Sequence, residues 1–282
     1  MIKLKVNDYV KVIAPLERVT INTLFAKAVV YQQVTGSVYV DREKEPKVFY
    51  IAHPYGMSLL FGNTENEYFN ENLFYYLTNK NKVRNKDEWL QVFPNSWSNK
   101  VETILDSYLV KIDSANMNRV LEMDDVSRRV VENTRVNFIF NISDFKNIKR
   151  PLDSRKHEIV RTTKEMLQTL QGSVIPKYFW NHEDQFQNTG IGYSLIYDGE
   201  VASTAFSSCR FEKQLEIGIE TLEKYRGKGF ALYVCSVLIN YCLENGLEPI
   251  WACRMENIAS YQLAHKLGFI PTLFIPYYRL SV

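Results

Sequence analysis

Between Gln214 and Glu244 the chain sets a strand, a glycine-bearing turn and an apolar helix in direct succession, an order few folds accept at this spacing. The run Leu215-Glu216-Ile217-Gly218-Ile219-Glu220-Thr221 alternates with the period of a half-buried strand. The turn Leu222-Glu223-Lys224-Tyr225-Arg226-Gly227-Lys228-Gly229 follows, and then Phe230 to Leu243, broken by Ser236 and Asn240 and stopped at Glu244-Asn245-Gly246. That stretch is shorter than the roughly 20 apolar residues a bilayer crossing needs, so it reads as a core helix. Gly227 and Gly229 let the main chain turn so that several N–H groups point into one concavity at a helix N-terminus, where the dipole adds positive potential. Such a nest suits a phosphate. It is neither a Walker A loop nor G-x-G-x-x-G, and Gly190-Ile191-Gly192 also fails the latter pattern, with Leu195 in place of the third glycine. A bare Gly-x-Gly turn also occurs as a simple tight corner.

The 282 residues are 46% hydrophobic and 23% charged, enough for one large core or two ordinary ones at roughly 150 residues per domain, which excludes disorder and fibre. With 34 Lys+Arg against 32 Asp+Glu, the net charge of +2 gives no global case for nucleic acid or an anionic membrane, so neither is expected as a partner. Cys209, Cys235, Cys242 and Cys253 show no C-x-x-C spacing and read as reduced and buried. His53, His157, His182 and His265 are scattered, so no metal is expected. Charges sit where a signal peptide needs its apolar segment, and a cytoplasmic protein is expected, as monomer or homodimer.

Helices are expected over Ile13 to Gln33. Three short strands follow, Ser37–Val40, Lys47–Ala52 and Met57–Phe61, then helices over Glu67–Leu77 and Ser96–Leu109 and a strand at Arg135–Phe140. A polar connection over Asn141–Lys156 suggests two domains, 1–145 and 146–282. Beyond it the pattern predicts helices at Glu158–Leu170 and His182–Gln187. Strands are expected at Gly192–Tyr197 and Val201–Ser208, joined by the hairpin signal Asp198-Gly199, with a third at Gln214–Thr221. The class is α+β, a mixed and mainly antiparallel sheet flanked by helices.

Arg226-x-x-Gly229-x-Ala231 resembles the pyrophosphate signature Q/R-x-x-G-x-G/A of the GNAT superfamily of acyl-CoA-dependent N-acetyltransferases. Pro249-Ile250-Trp251-Ala252-Cys253 reads as the next strand. Asn257 to Phe269 is similar to the superfamily's second motif, N-x-x-A/S-x-x-L-x-x-K-x-G-F. With Phe186 through Gly192, these residues look most like a GNAT family whose members carry an extra N-terminal half. The resemblance implies a C-terminal GNAT fold preceded by an α+β subdomain, with a degenerate GNAT-like half as one form that subdomain can take.

The resemblance also implies roles. Main-chain groups of Ile219 and Thr221 would pair with the pantetheine arm of acetyl-CoA, the acyl donor, in a V between their strand and that of Trp251. The N–H groups of Arg226, Gly227, Lys228, Gly229, Phe230 and Ala231 would hold the pyrophosphate. Asn257 and Ser260 would face the CoA, although helix capping alone accounts for Asn257. Lys224, Lys228 and Lys266 are candidates for the 3′-phosphate or plain surface lysines. The acceptor would be a primary amine of a small molecule or peptide. It must first lose a proton, with Glu220 and Glu216 as candidate bases acting through water, although placement as surface-facing strand carboxylates alone also explains them. A main-chain N–H near Thr221 or Leu222 would meet the oxyanion. Many members place a general-acid Tyr where this chain has Ala264; Tyr261, one turn earlier, is the substitute candidate. Cys253 has no evident base beside it for a nucleophilic role. Two other readings stand beside the transferase: a degenerate module that binds acyl-CoA as a sensor or partner-binding unit, and a phosphate- or nucleotide-binding protein that shares only the turn.

Overall fold

The computed structural model describes residues 1–111, 129–147 and 157–282. Residues 148–156 of the expected polar connection lie outside this range. The fold is mixed α+β, with antiparallel-dominated sheets flanked by helices. The chain divides into two compact units, one of Met1–Val136, Arg254–Glu256 and Leu273–Val282, the other of Asn137–Cys253 and Asn257–Thr272.

The first unit begins with β1 (Ile2–Lys3) and two short helices, α1 (Val10–Glu17) and α2 (Leu24–Val30). The expected meander follows as β2 (Ser37–Val40), β3 (Val48–Ala52) and β4 (Met57–Gly62), antiparallel with Val38 opposite Ile51 and Ile51 opposite Leu59. Helix α3 (Glu67–Leu77) then crosses over to β5 (Glu88–Phe93), which is parallel to β4. Asn66 starts α3 by accepting from Phe69 N. Phe69, Leu73, Tyr76 and Leu77 bury one stripe at i, i+4, i+7 and i+8. Helix α4 (Ser96–Leu105) does the same with Trp97, Val101 and Leu105. The longer helix expected here ends early because Asp106 takes φ +44°, a left-handed conformation that closes the last turn.

Strands β6 (Leu109–Lys111) and β7 (Val130–Phe140) follow and pair in parallel. The end of the chain also belongs to the first unit. Tyr278, Arg279 and Leu280 pair antiparallel with Leu90, Trp89 and Glu88. Arg84, buried between α3 and β5, fastens this end down. Its Nε and Nη2 donate to Tyr76 and Leu77 carbonyls at the C-terminus of α3, both at 3.1 Å, while Nη1 and Nη2 reach Leu280 O (2.8 Å) and Ser281 O (2.9 Å). Helix-terminal carbonyls, which lack intrahelical donors, thus stabilise a buried cation.

In the second unit, β8 (His157–Arg161), β9 (Gly192–Tyr197), β10 (Glu200–Phe211) and β11 (Gln214–Thr221) form an antiparallel sheet that β12 (Glu248–Ile250) extends in parallel, in the order β12-β11-β10-β9-β8. The Asp198-Gly199 hairpin forms as expected, both residues having positive φ (+51° and +80°). Helix α5 (Ile142–Lys146) precedes this sheet. Residues 158–170 are not one helix: His157–Arg161 pair with Tyr197–Tyr193 along the edge of β9, and only Lys164–Thr169 are helical (α6), started by the Thr163 hydroxyl accepting from Met166 N. Edge pairing here overrides a helical side-chain pattern. After α7 (Glu183–Thr189), the apolar run forms α8 (Phe230–Glu244), which buries Val234, Cys235, Leu238, Ile239 and Cys242 against β9, β10 and β11. Helix α9 (Ile258–Lys266) completes the unit.

Replacing Arg84 by Leu strips donors from four carbonyls. The expected cost is about 3 kcal/mol, read as a fall in urea midpoint at unchanged m-value.

Candidate functional site

Strands β11 and β12 are paired for three positions, Gln214 to Glu216 against Glu248 to Ile250. At Trp251 the chain turns away, and Trp251 O accepts from Phe138 N at 3.2 Å. Strand β11 runs on from Ile217 to Thr221 with β10 on one side and, among the described residues, no strand on the other. A bulge on β10 sits where the two strands part. Ser207 opposes Ile217 and Cys209 opposes Glu216, leaving Ser208 extra, with its hydroxyl donating to Glu216 O at 3.1 Å. Bulges bend a strand and increase its twist, which opens the V at this point.

The register decides which groups face the opening. Leu222 N donates to Ala202 O at 3.0 Å and Thr221 opposes Ser203, so the hydrogen-bonded pairs fall at Glu220 and Gly218. The main-chain groups of Ile219 and Thr221 therefore turn to the free edge. Of the two N–H groups expected to meet an oxyanion, Leu222's is spent in the sheet and Thr221's is on the open side. Thr221 O is taken by Arg226 Nε at 3.2 Å.

The turn ends the open edge. Gly227 (φ +79°) and Gly229 (φ +81°) are left-handed, and α8 starts at Phe230 with no side chain capping it. A Cβ on Gly227 would meet nothing within 4 Å and one on Gly229 only Tyr233 at 3.7 Å, so the space before the turn is clear. The N–H groups at the start of α8 thus adjoin open space at a helix N-terminus, where the dipole adds positive potential. Nearby cations carry their own partners. Lys228 lies over the rings of Tyr197 (5.0 Å) and Tyr225 (5.3 Å), and Lys224 pairs with Glu200. The Arg226 guanidinium also stands 3.5 Å from Glu220 Oε1. Lys266 is in the last turn of α9.

The structure separates the other candidates. Asn257 caps α9, its Oδ1 accepting from Ser260 N at 3.2 Å. Tyr261 packs between Phe138 (5.6 Å) and His265 (4.8 Å), and its hydroxyl bonds to no described residue. Ala264 is fully buried. Glu216 is buried too, a correction to its placement as a surface-facing strand carboxylate. Glu220 lines a cavity of about 820 Å³ together with Ile175, Glu200, Ser203, Leu222 and Lys224. Cavity walls from residues 169–175 and from the start of β10 went unrecognised in the sequence, because they meet β11 only through the fold. Cys209, Cys235, Cys242 and Cys253 are all buried and unbridged, and burial pushes the Cys242 thiol up to about 12.

The model of the GNAT acetyltransferase family matches residues 16–274. An uncharacterised N-acetyltransferase of Bacillus subtilis, YdfB, is 28% identical over 248 residues, which cover 87% of this chain and 85% of that protein. Among solved structures, a GCN5-related N-acetyltransferase-like protein from Streptococcus suis superposes with a TM-score of 0.68 at 20% identity, covering 97% of this chain and 99% of its own. A tandem GNAT protein from the clavulanic acid biosynthesis pathway does so with a TM-score of 0.58 at 9% identity, covering 99% and 97%. Both structural likenesses are of fold.

Two measurements check this geometry. Gly229→Val puts a branched side chain where φ is +81°, in the open space before α8; CoA affinity by calorimetry should fall at least about tenfold, against a stability loss of about 1–2 kcal/mol. In the native protein a thiol reagent should label none of the four cysteines quickly, and all four after unfolding in guanidinium.

Proposed function

The chain belongs to the GNAT acetyltransferase family and is an N-acetyltransferase, and from that premise we propose that it moves acetyl from acetyl-CoA to a primary amine of a small molecule or peptide by direct attack. The observation that carries the proposal is the continuity of the open β11 edge with the two left-handed glycines at the start of α8. An extended arm ending in a pyrophosphate has that shape: a strand-like stretch satisfied by alternate main-chain groups, then two phosphates at a helix N-terminus.

In this reading the main-chain groups of Ile219 and the N–H of Thr221 bind the pantetheine, and the N–H groups of Arg226 to Ala231 bind the pyrophosphate. Ser260 and the remaining amide group of Asn257 stand by at the start of α9. Acetyl-CoA supplies the thioester carbonyl that the amine attacks and a thiol of pKa about 8.5 that leaves readily. A good leaving group lessens the need for a general acid, which fits a chain with Ala264 buried and Tyr261 held in an aromatic stack. The acceptor enters the cavity beside β11, whose carboxylates Glu200 and Glu223 favour an amine that arrives as a cation. With a lysine-type pKa of about 10.4, roughly one amine in 2,500 is neutral at pH 7, so proton removal must accompany attack. Glu216 is the candidate base, since the carboxylate of Glu220 is engaged by main-chain donors.

The test is acceptor-dependent release of free thiol from acetyl-CoA over a panel of diamines, amino sugars and lysine-bearing peptides. At least one amine should raise the rate well above hydrolysis, with kcat/KM rising with pH through neutrality. Tight CoA binding with no responding amine would support a binding-only module, and stronger thermal stabilisation by ATP than by CoA would remove the CoA site itself.

A further inference from the structure

Glu220 reaches back to a loop far earlier in the sequence. Its Oε2 accepts from the main-chain N–H of Ser173 (2.9 Å) and Val174 (3.0 Å) and from the Ser173 hydroxyl (3.4 Å), while Oε1 faces Arg226 Nη2 at 3.5 Å. Two consecutive N–H groups aimed at one oxygen form a small anion nest. The approach requires glycine at 172: its φ is +126°, and a Cβ there would fall 2.4 Å from Glu220 Cγ. Leu170, Gln171 and Ile175, on either side of this contact, line the same cavity as Glu220 itself.

A general base must hold a lone pair ready for the incoming amine. Oε2 is instead occupied by three donors, all from one loop, and Oε1 is held beside the cationic Arg226 guanidinium. We propose that Glu220 is a positioning residue, a latch that holds the 170–175 loop in place as a wall of the cavity and so sets acceptor affinity, while another group takes the proton. The consequence for acceptor affinity rests on the acetyl-transfer reading; the latch does not.

The experiment compares wild type, Glu220→Gln and Glu220→Ala. A glutamine keeps an oxygen for the two N–H groups and cannot act as a base, whereas alanine removes the acceptor altogether. Amide hydrogen exchange, run without any substrate, should show Ser173 and Val174 exchanging about tenfold faster in Glu220→Ala and within about threefold of wild type in Glu220→Gln. With the best amine of the panel, Glu220→Ala should raise the acceptor KM about tenfold while kcat changes less than about threefold, and Glu220→Gln should restore the KM with the pH profile unaltered. Unchanged exchange in Glu220→Ala overturns the latch whatever the reaction. A loss of kcat of about 100-fold in Glu220→Gln, together with loss of the acidic limb of the pH profile, overturns it in favour of a base. If no amine is acetylated by wild type, the functional reading fails, and the exchange result still decides the latch.

Discussion

The parting of β11 from β12 is the constraint on which the site depends. Three paired positions hold the two strands parallel, and at Trp251 the second takes another partner, Phe138. The bulge at Ser208 supplies the twist that lets them separate without leaving Glu216 O unsatisfied. What remains is a strand edge of five residues whose alternate N–H and C=O groups face outward. Such groups demand partners. In the proposed reading an extended ligand chain satisfies them as a further strand would, and the turn at Gly227 and Gly229 receives its charged end.

In the proposed reading, anion recognition is a property of the main chain. Lys224, Lys228 and Arg226 all stand beside the turn, yet each is already engaged: with Glu200, with two tyrosine rings, and with Thr221 O and Glu220. Exposed pairs of this kind contribute little to stability, but they fix where the side chains lie. In that reading the phosphates are left to N–H dipoles, which is why a net charge of +2 is compatible with a pyrophosphate site.

Much of the second unit was legible. The Asp198-Gly199 hairpin, the alternation of Gln214–Thr221 and the apolar run of α8 are local patterns, and each formed where its period and its glycines placed it. Elements that depend on distant partners were not legible. His157–Arg161 is a strand because β9 offers an edge, although its side chains read as helical. Glu88–Phe93 carries a glutamate and a glutamine among its apolar residues, and Phe269–Leu280 contains Pro271 and Pro276, which mask a strand pattern. Arg84 gives no local sign of its role, since its carbonyl partners at Leu280 and Ser281 come from the other end of the chain.

The candidate site divides in the same way. Sequence alone determined the glycine turn, the helix it begins and the strand before it, because left-handed backbone and side-chain periodicity are set by neighbouring residues. The tertiary structure decided the rest: which edge of β11 is open, that Glu216 is buried, and that Glu220 closes on Ser173 and Val174. These follow from register, bulge and loop closure, which join residues tens of positions apart, and no local pattern of side chains encodes them.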